Sequence, residues 1–167
     1  GWAPGVLGYD MYGGRIGIAL ALSMAGKVLN DKNISDVAFQ IFSSSAKILS
    51  TNVYEKRNLL SSGLGIFSGF SSVIWGLYEA SYIFDKREWS AIALSSWKII
   101  DKEMHRINNN FFDMMTGNSA AIILRLRMDL DYKLTNEQIE EIIAEANRVL
   151  NSRNDEFTSG LAHGLSH

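Results

Sequence analysis

A short glycine segment that opens an apolar helical run recurs four times along this chain of 167 residues. The copies align on Gly14, Gly69, Gly117 and Gly164, so that successive copies are 55, 48 and 47 residues apart. A spacing of this size is typical of repeat proteins, in which each repeat buries its apolar surface against the next. The sequence therefore predicts a repeat architecture before any single side chain is considered.

Each of the first three glycine segments precedes the pattern of a helical hairpin. Apolar residues follow the glycine at helical spacing, a short polar break comes next, and a second segment then carries one apolar stripe. We expect an all-α protein in which each repeat pairs a buried helix with a half-exposed helix. The predicted repeat units are residues 10–52, 65–106 and 113–152, with the start of a fourth at 160–167.

Polar segments and one capping motif set the expected helix ends. Residues 30–33 and 85–88 are polar and are predicted to be turns between paired helices. Thr135 and Gln138 have the spacing of a capping box, in which both side chains accept hydrogen bonds from backbone N–H groups at a helix start. The tryptophans Trp75, Trp89 and Trp97 fit core packing.

Composition excludes several classes of function. The net charge of −2 gives no basic excess to neutralise phosphates, so nucleic acid is not an expected partner. The chain has no cysteine, which excludes disulfides and thiolate metal ligands within it. No apolar stretch reaches the roughly 20 residues of a transmembrane helix. The amino terminus has no signal-peptide pattern and no initiator methionine, so we expect the sequence to come from a longer chain.

The glycines predict where a site would lie. In a ring of such hairpins, the amino-terminal ends of the buried helices would gather at one end of the molecule. Their exposed amides and positive dipole ends would then converge on a central cavity. We expect the loops that end at Asp113 and His163 to place their side chains in that cavity.

His163 is the strongest candidate for chemistry. Its neighbours Ala162 and Gly164 are small and leave the imidazole accessible, and an imidazole exchanges protons near neutral pH. The alternative is a histidine that is hydrogen-bonded into a helix start. His105 lies in a polar stretch and is predicted to be solvated.

Two carboxylates and one cation lie close to the aligned glycines. Asp10 and Asp113 each precede their glycine by four residues, and a carboxylate there is expected to cap the following helix. Asp113 has a second interpretation, in which it orients an imidazole from the neighbouring repeat. For Arg15 we expect the stem to lie along the wall with its head in solvent, rather than to point at an anion in the cavity.

Together the four segments resemble the LanC-like lanthionine cyclases, most of all the carboxy-terminal cyclase domain of class II lanthipeptide synthetases. The resemblance implies an α,α-toroid of seven helical hairpins, of which this chain supplies three and the start of a fourth. Ser72, Ala120 and His167 stand where that family has glycine. The matching segments are Tyr9 to Leu20, Phe67 to Gly69, Asp113 to Gly117 and Gly160 to Gly164.

The resemblance also implies a reaction, which belongs to lantibiotic biosynthesis. A cysteine thiol of a leader-bearing precursor peptide adds to a dehydroalanine or dehydrobutyrine and closes a thioether ring. His163 matches the family's acid/base histidine, which would protonate the enolate formed on addition, and Asp113 matches the aspartate close to it. The family's zinc is held by two cysteines and a histidine, so its ligands are expected in the full-length protein outside this chain.

The same resemblance implies a cellular location and an association with other proteins. We expect a cytoplasmic protein associated with a membrane-bound biosynthesis and export complex. The isolated chain is expected to be inactive, and its incomplete toroid is expected to self-associate through uncovered apolar surface. No cofactor-binding or metal-binding residue is predicted within it.

Two other functions fit the residues. One is a non-catalytic LanC-like protein that binds a peptide or a small thiol. The other is a carbohydrate-active α,α-barrel with paired carboxylates, for which Asp10 and Asp113 are the obvious pair.

Overall fold

The computed structural model describes residues 7–51, 53–103, 115–128 and 133–151. Within these ranges there is no β-strand, only an isolated bridge between Leu64 and Gly69, so the all-α prediction is confirmed. The predicted fourth unit at 160–167 lies outside the described residues, and the bounds of the repeat units stay a prediction. The helices are α1 (Arg15–Leu29), α2 (Lys32–Thr51), α3 (Val53–Ser61), α4 (Phe70–Ile83), α5 (Arg87–Glu103), α6 (Asn118–Met128) and α7 (Asn136–Asn151).

The helices form three hairpins in two rows. In the first row, α4 packs between α1 and α6, and each of these helices pairs with the helix that follows it, α2, α5 or α7. In the second row, α2 packs against α5. The rows form an arc of an α,α-toroid, as the resemblance implies.

The helix α4 carries the centre of the core. Its buried side chains include Phe70, Ile74 and Leu77, all without exposed surface. Behind it, Phe42 of α2 lies 6.1 Å from the ring of Trp89 of α5, measured between centroids. The burial of these apolar groups on both rows supplies most of the favourable free energy that holds the hairpins together.

One expectation about α1 is wrong. Its sequence is apolar nearly all round and predicts burial on most faces, yet Met24 is 57% exposed and Val28 is 81% exposed. These two side chains are exposed because α1 packs against α2 and α4 but has no further helix on its other side among the described residues.

The turn between α1 and α2 is shorter than predicted. The helix α1 ends at Leu29 and α2 begins at Lys32, so Lys32 and Asn33 belong to the helix. Asn30 takes the left-handed conformation that commonly ends a helix, with φ of 52° and ψ of 38°. The Asp31 carboxylate then accepts the backbone N–H of Asn33 at 2.8 Å, which starts α2 at once.

Two further differences have local causes. Arg87 and Glu88 lie in the first turn of α5, not in the preceding turn, because a helix start tolerates polar residues. Trp89 and Trp97 are buried as predicted, and Trp75 packs against the same core but is only half-buried. The indole N–H of Trp75 donates to Glu79 Oε1 at 2.9 Å one turn along α4.

The predicted capping box at the start of α7 is confirmed. The Thr135 backbone N–H donates to Gln138 Oε1 at 3.0 Å, and the Gln138 backbone N–H donates to Thr135 Oγ1 at 3.3 Å. Both amides would otherwise lack a partner within the helix.

Replacing Thr135 with alanine is expected to lower the free energy of unfolding by about 1 kcal/mol, because the Gln138 amide loses its acceptor. The measurement is a urea unfolding curve for each variant. Thr135→Ser keeps the hydroxyl and should unfold within a few tenths of a kcal/mol of the wild type. Equal loss in both variants would show that the methyl group, not the cap, matters at this position.

Candidate functional site

The glycine turns of the first three repeats lie side by side and share backbone hydrogen bonds. The Phe67 carbonyl accepts the N–H groups of Met11 at 3.0 Å and of Tyr12 at 2.9 Å. The Met115 carbonyl in turn accepts the Ser68 N–H at 2.9 Å. The expected gathering of these turns at one end of the first row is therefore confirmed for the described copies.

The three glycine turns lie together, and each has the same position relative to the helix that follows it. The helices α1, α4 and α6 each begin at the residue directly after the aligned glycine. Phe67 and Met115, whose carbonyls receive the bonds from the preceding repeat, both lie two residues before that glycine. The sequence alignment of the repeats is thus also an alignment of their structures.

Close backbone approach explains the glycines that start α1 and α4. Gly14 has φ of −108° and Gly69 has φ of 171°, which other residues also adopt. A Cβ on Gly14 would lie 2.6 Å from the Asp10 nitrogen, and one on Gly69 would lie 2.7 Å from the Gly63 carbonyl oxygen. These positions need glycine because the chain folds back onto itself there.

The glycine three residues further on differs between repeats for a visible reason. A Cβ on Gly17 would overlap the Met11 carbonyl. The corresponding Ser72 and Ala120 are fully buried, so the second and third repeats leave room for a small side chain. Ser72 uses its hydroxyl to donate to the Gly69 carbonyl at 2.6 Å.

Asp10 does not cap α1 as expected. Its Oδ1 accepts the backbone N–H of Gly13 at 2.8 Å, and the cap position of α1 is Gly14, which makes no side-chain hydrogen bond. The carboxylate therefore closes the turn before the helix.

Arg15 also departs from expectation, because its head is not free in solvent. Its Nε donates to the Leu7 carbonyl at 3.1 Å, and its guanidinium carbon lies 4.7 Å from the centroid of the Tyr9 ring. Its Nη1 also donates to the Tyr9 hydroxyl at 3.4 Å. This half-buried side chain therefore fixes the segment that leads into the first glycine turn, through two hydrogen bonds and one cation–π contact.

A cleft of about 220 Å³ opens at this end of the first row. It lies between the first glycine turn, the end of α3 and the start of α4. The sequence did not point to its α3 wall, because no helix was predicted between residues 53 and 61. The lining residues are Gly8, Tyr9, Asp10, Asn58, Leu59, Ser62, Ser68 and Gly69.

The predicted catalytic residues His163 and Asp113 lie outside the described residues, as do His105 and His167. Within the described ranges, no group of three or more His, Cys, Asp or Glu side chains is placed to hold a metal ion. Since the chain also has no cysteine, the ligand set of two cysteines and a histidine does not fit the residues present.

None of the helices in the described ranges is both long enough and apolar enough to cross a membrane.

Comparison with known families assigns almost the whole chain to one of them. Residues 5–166 match the model of the family described as lanthionine synthetase C-like protein. The matched range includes all four glycine segments of the repeat. A comparison with curated proteins gave no match.

Proposed function

Because the chain belongs to the lanthionine synthetase C-like family, we propose that it is part of a cyclase that forms thioether rings in a precursor peptide. The observation that carries the proposal is the shared register of the glycine turns, whose order and spacing are those of the family's cyclase domain. The described turns meet at one end, where a peptide would reach them from solvent.

His163 is the proposed proton donor. By sequence register it corresponds to Ser68, which directly precedes the aligned glycine of the second repeat at the end where the turns meet. The thiol first loses its proton to solvent, and the thiolate sulfur then attacks the β-carbon of the dehydrated residue. The C–S bond forms as the carbon–carbon π bond breaks, and its electrons move to the carbonyl oxygen as an enolate. The enolate α-carbon then takes a proton from the imidazolium of His163.

Asp113 is the proposed partner of His163. A carboxylate beside an imidazole fixes its orientation and favours its protonated form, which is the form that donates to the enolate. Asp113 is therefore a positioning residue and does not touch the substrate.

We propose that the zinc ligands lie elsewhere in the full-length protein, and no step above depends on them. The proposed partner is a leader-bearing precursor peptide of lantibiotic biosynthesis. The proposed setting is the cytoplasm, at a membrane-bound biosynthesis and export complex.

Ring closure in the full-length protein tests the proposal. Addition of a thiol to a double bond leaves the mass unchanged, so the assay treats the dehydrated peptide with iodoacetamide and counts alkylated thiols by mass spectrometry. We expect thiols to become resistant to alkylation with the full-length protein and to stay reactive with the 167-residue chain alone.

The same assay separates the rival functions. Peptide binding by the full-length protein without thiol protection would favour a non-catalytic binding protein. Thiol protection by the 167-residue chain alone would contradict the proposal that the metal ligands lie outside it.

A further inference from the structure

The cleft beside the first glycine turn holds a carboxylate with one uncommitted oxygen. Asp10 Oδ1 accepts the Gly13 N–H, whereas no residue in the described part of the chain makes a hydrogen bond to Oδ2. A Cβ built on Gly8 would lie 3.0 Å from Oδ2, so this oxygen lies over Gly8, which also lines the cleft. The only ion pair among the described residues, between Lys86 and Glu88, is elsewhere.

The remaining polar walls offer further acceptors. Ser62, Ser68 and Asn58 also line it, and their side chains include hydroxyl and amide oxygens that can accept hydrogen bonds. The Ser62 hydroxyl donates to the Asn58 carbonyl at 3.4 Å, which leaves its oxygen lone pairs available. An ammonium group has three N–H donors and no acceptor, so this set of acceptors suits it.

The helix starts beside the cleft and the Arg15 guanidinium are committed to other partners, which disfavours an anionic ligand at those groups. The first backbone N–H of α1, on Arg15, donates to the Gly8 carbonyl at 2.9 Å, and that of α4, on Phe70, donates to the Gly63 carbonyl at 2.9 Å. The Arg15 guanidinium donates to the Leu7 carbonyl and contacts Tyr9. Neither helix start therefore offers its first amide to an anion in the cleft.

The volume and lining of the cleft favour a ligand no larger than a single side chain. The volume of about 220 Å³ is smaller than the roughly 300–1,000 Å³ of pockets for drug-sized molecules. Leu59 supplies apolar surface for a methylene stem, as lysine side chains prefer. Because the cleft is small and Oδ2 is the oxygen that carries no other hydrogen bond, the compact point charge of a lysine ammonium fits better than the larger planar guanidinium of an arginine.

We propose that this cleft binds the ammonium group of a lysine side chain in the peptide substrate, with Asp10 Oδ2 as its counter-charge. The identity of the ligand as a peptide rests on the proposed function. The cleft lies at the same end as the glycine turns, so a lysine held there would anchor the peptide beside the region proposed to carry out ring closure.

The test is a titration of the isotope-labelled chain with two short peptides, followed by NMR. One peptide is acetyl-Ala-Lys-Ala-amide, and the other has norleucine, which keeps the stem and lacks the charge. We expect the lysine peptide to bind about ten-fold more tightly and to shift the amide signals of Gly8, Ser68 and Gly69. The preference should weaken as salt is added.

Two variants with the same change of net charge show whether the preference for lysine depends on Asp10. Asp10→Asn keeps an oxygen for the Gly13 N–H and removes the charge, so it should abolish the ten-fold preference. Asp36→Asn on the exposed side of α2 should leave it unchanged. Equal binding of both peptides to the wild type, or an undiminished preference in Asp10→Asn, would overturn the inference.

The experiment is independent of catalysis. A full-length protein that closes no rings, while the chain still prefers lysine through Asp10, would contradict the proposed function alone. Ring closure on a lysine-free precursor, with no lysine preference in the titration, would contradict the inference alone.

Discussion

Replacing Gly65 with alanine is expected to destabilise the fold by about 3 kcal/mol, near the upper end of the usual cost of overpacking. The added Cβ would overlap the Met115 carbonyl and the Thr116 α-carbon. Both are backbone atoms of the next glycine turn, so no side chain can rotate away to make room. The turn of the third repeat would have to move.

That movement would also break the contacts that hold adjacent turns together. The Met115 carbonyl accepts the Ser68 N–H at 2.9 Å, and the Thr116 carbonyl accepts the Leu64 N–H at 3.2 Å. For a protein of this size, a loss of about 3 kcal/mol corresponds to a fall in Tm of roughly 6–12 °C. Thermal unfolding followed by circular dichroism measures it.

Gly13→Ala is the matched control. It makes the same chemical change in the first glycine turn, but a Cβ there has no atom within 4 Å. We expect its free energy of unfolding to stay within about 0.5 kcal/mol of the wild type. A Gly65→Ala variant as stable as Gly13→Ala would mean that the turns of the second and third repeats are not in the close contact described.

The repeat pattern predicted the architecture because it is set by local chemistry. The aligned glycines mark the helix starts because the chain folds back onto its own backbone at Gly14 and Gly69. The backbone bonds between neighbouring turns go to Phe67 and Met115, two residues before the aligned glycines of the second and third repeats. The capping box at Thr135 and Gln138 was predictable for the same reason, since its partners are three residues apart.

The features that the sequence did not predict, or predicted wrongly, depend on contacts that no local sequence pattern encodes. The apolar residues of α3 stand in two adjacent pairs near its ends, 53–54 and 59–60, and among residues 56–61 only Leu59 is buried, so periodicity gives little signal for this helix. The exposed face of α1 depends on which helices lie beside it. Asp10 was expected to cap α1 and Arg15 to keep its head in solvent, whereas their hydrogen bonds go to Gly13 and to Leu7, within an irregular segment.

The features of the candidate site were likewise predictable from the sequence only in part. The sequence located the end of the molecule at which the described turns meet, and the family's motifs predict His163 and Asp113, which lie outside the described residues. It did not identify the cleft, because Asn58 comes from α3, and Ser62 and Ser68 from the segment between α3 and α4. A site formed between elements needs the packing of those elements to be known.

Replacing His163 with asparagine is expected to slow ring closure by about 100-fold or more, the usual contribution of a general acid. Asparagine keeps hydrogen-bonding capacity but has no proton to release near neutral pH. The addition step would then depend on water to protonate the enolate. His105→Asn is the matched control, because His105 is predicted to be solvated and outside the chemistry.

The most direct test of the cyclase proposal is the initial rate at which full-length protein makes a dehydrated precursor resistant to iodoacetamide. It should be compared among the wild type, His163→Asn and His105→Asn, all shown to have matching Tm values. We predict that the rate falls about 100-fold for His163→Asn and is unchanged for His105→Asn. A folded His163→Asn protein that closes rings at the wild-type rate would contradict the account.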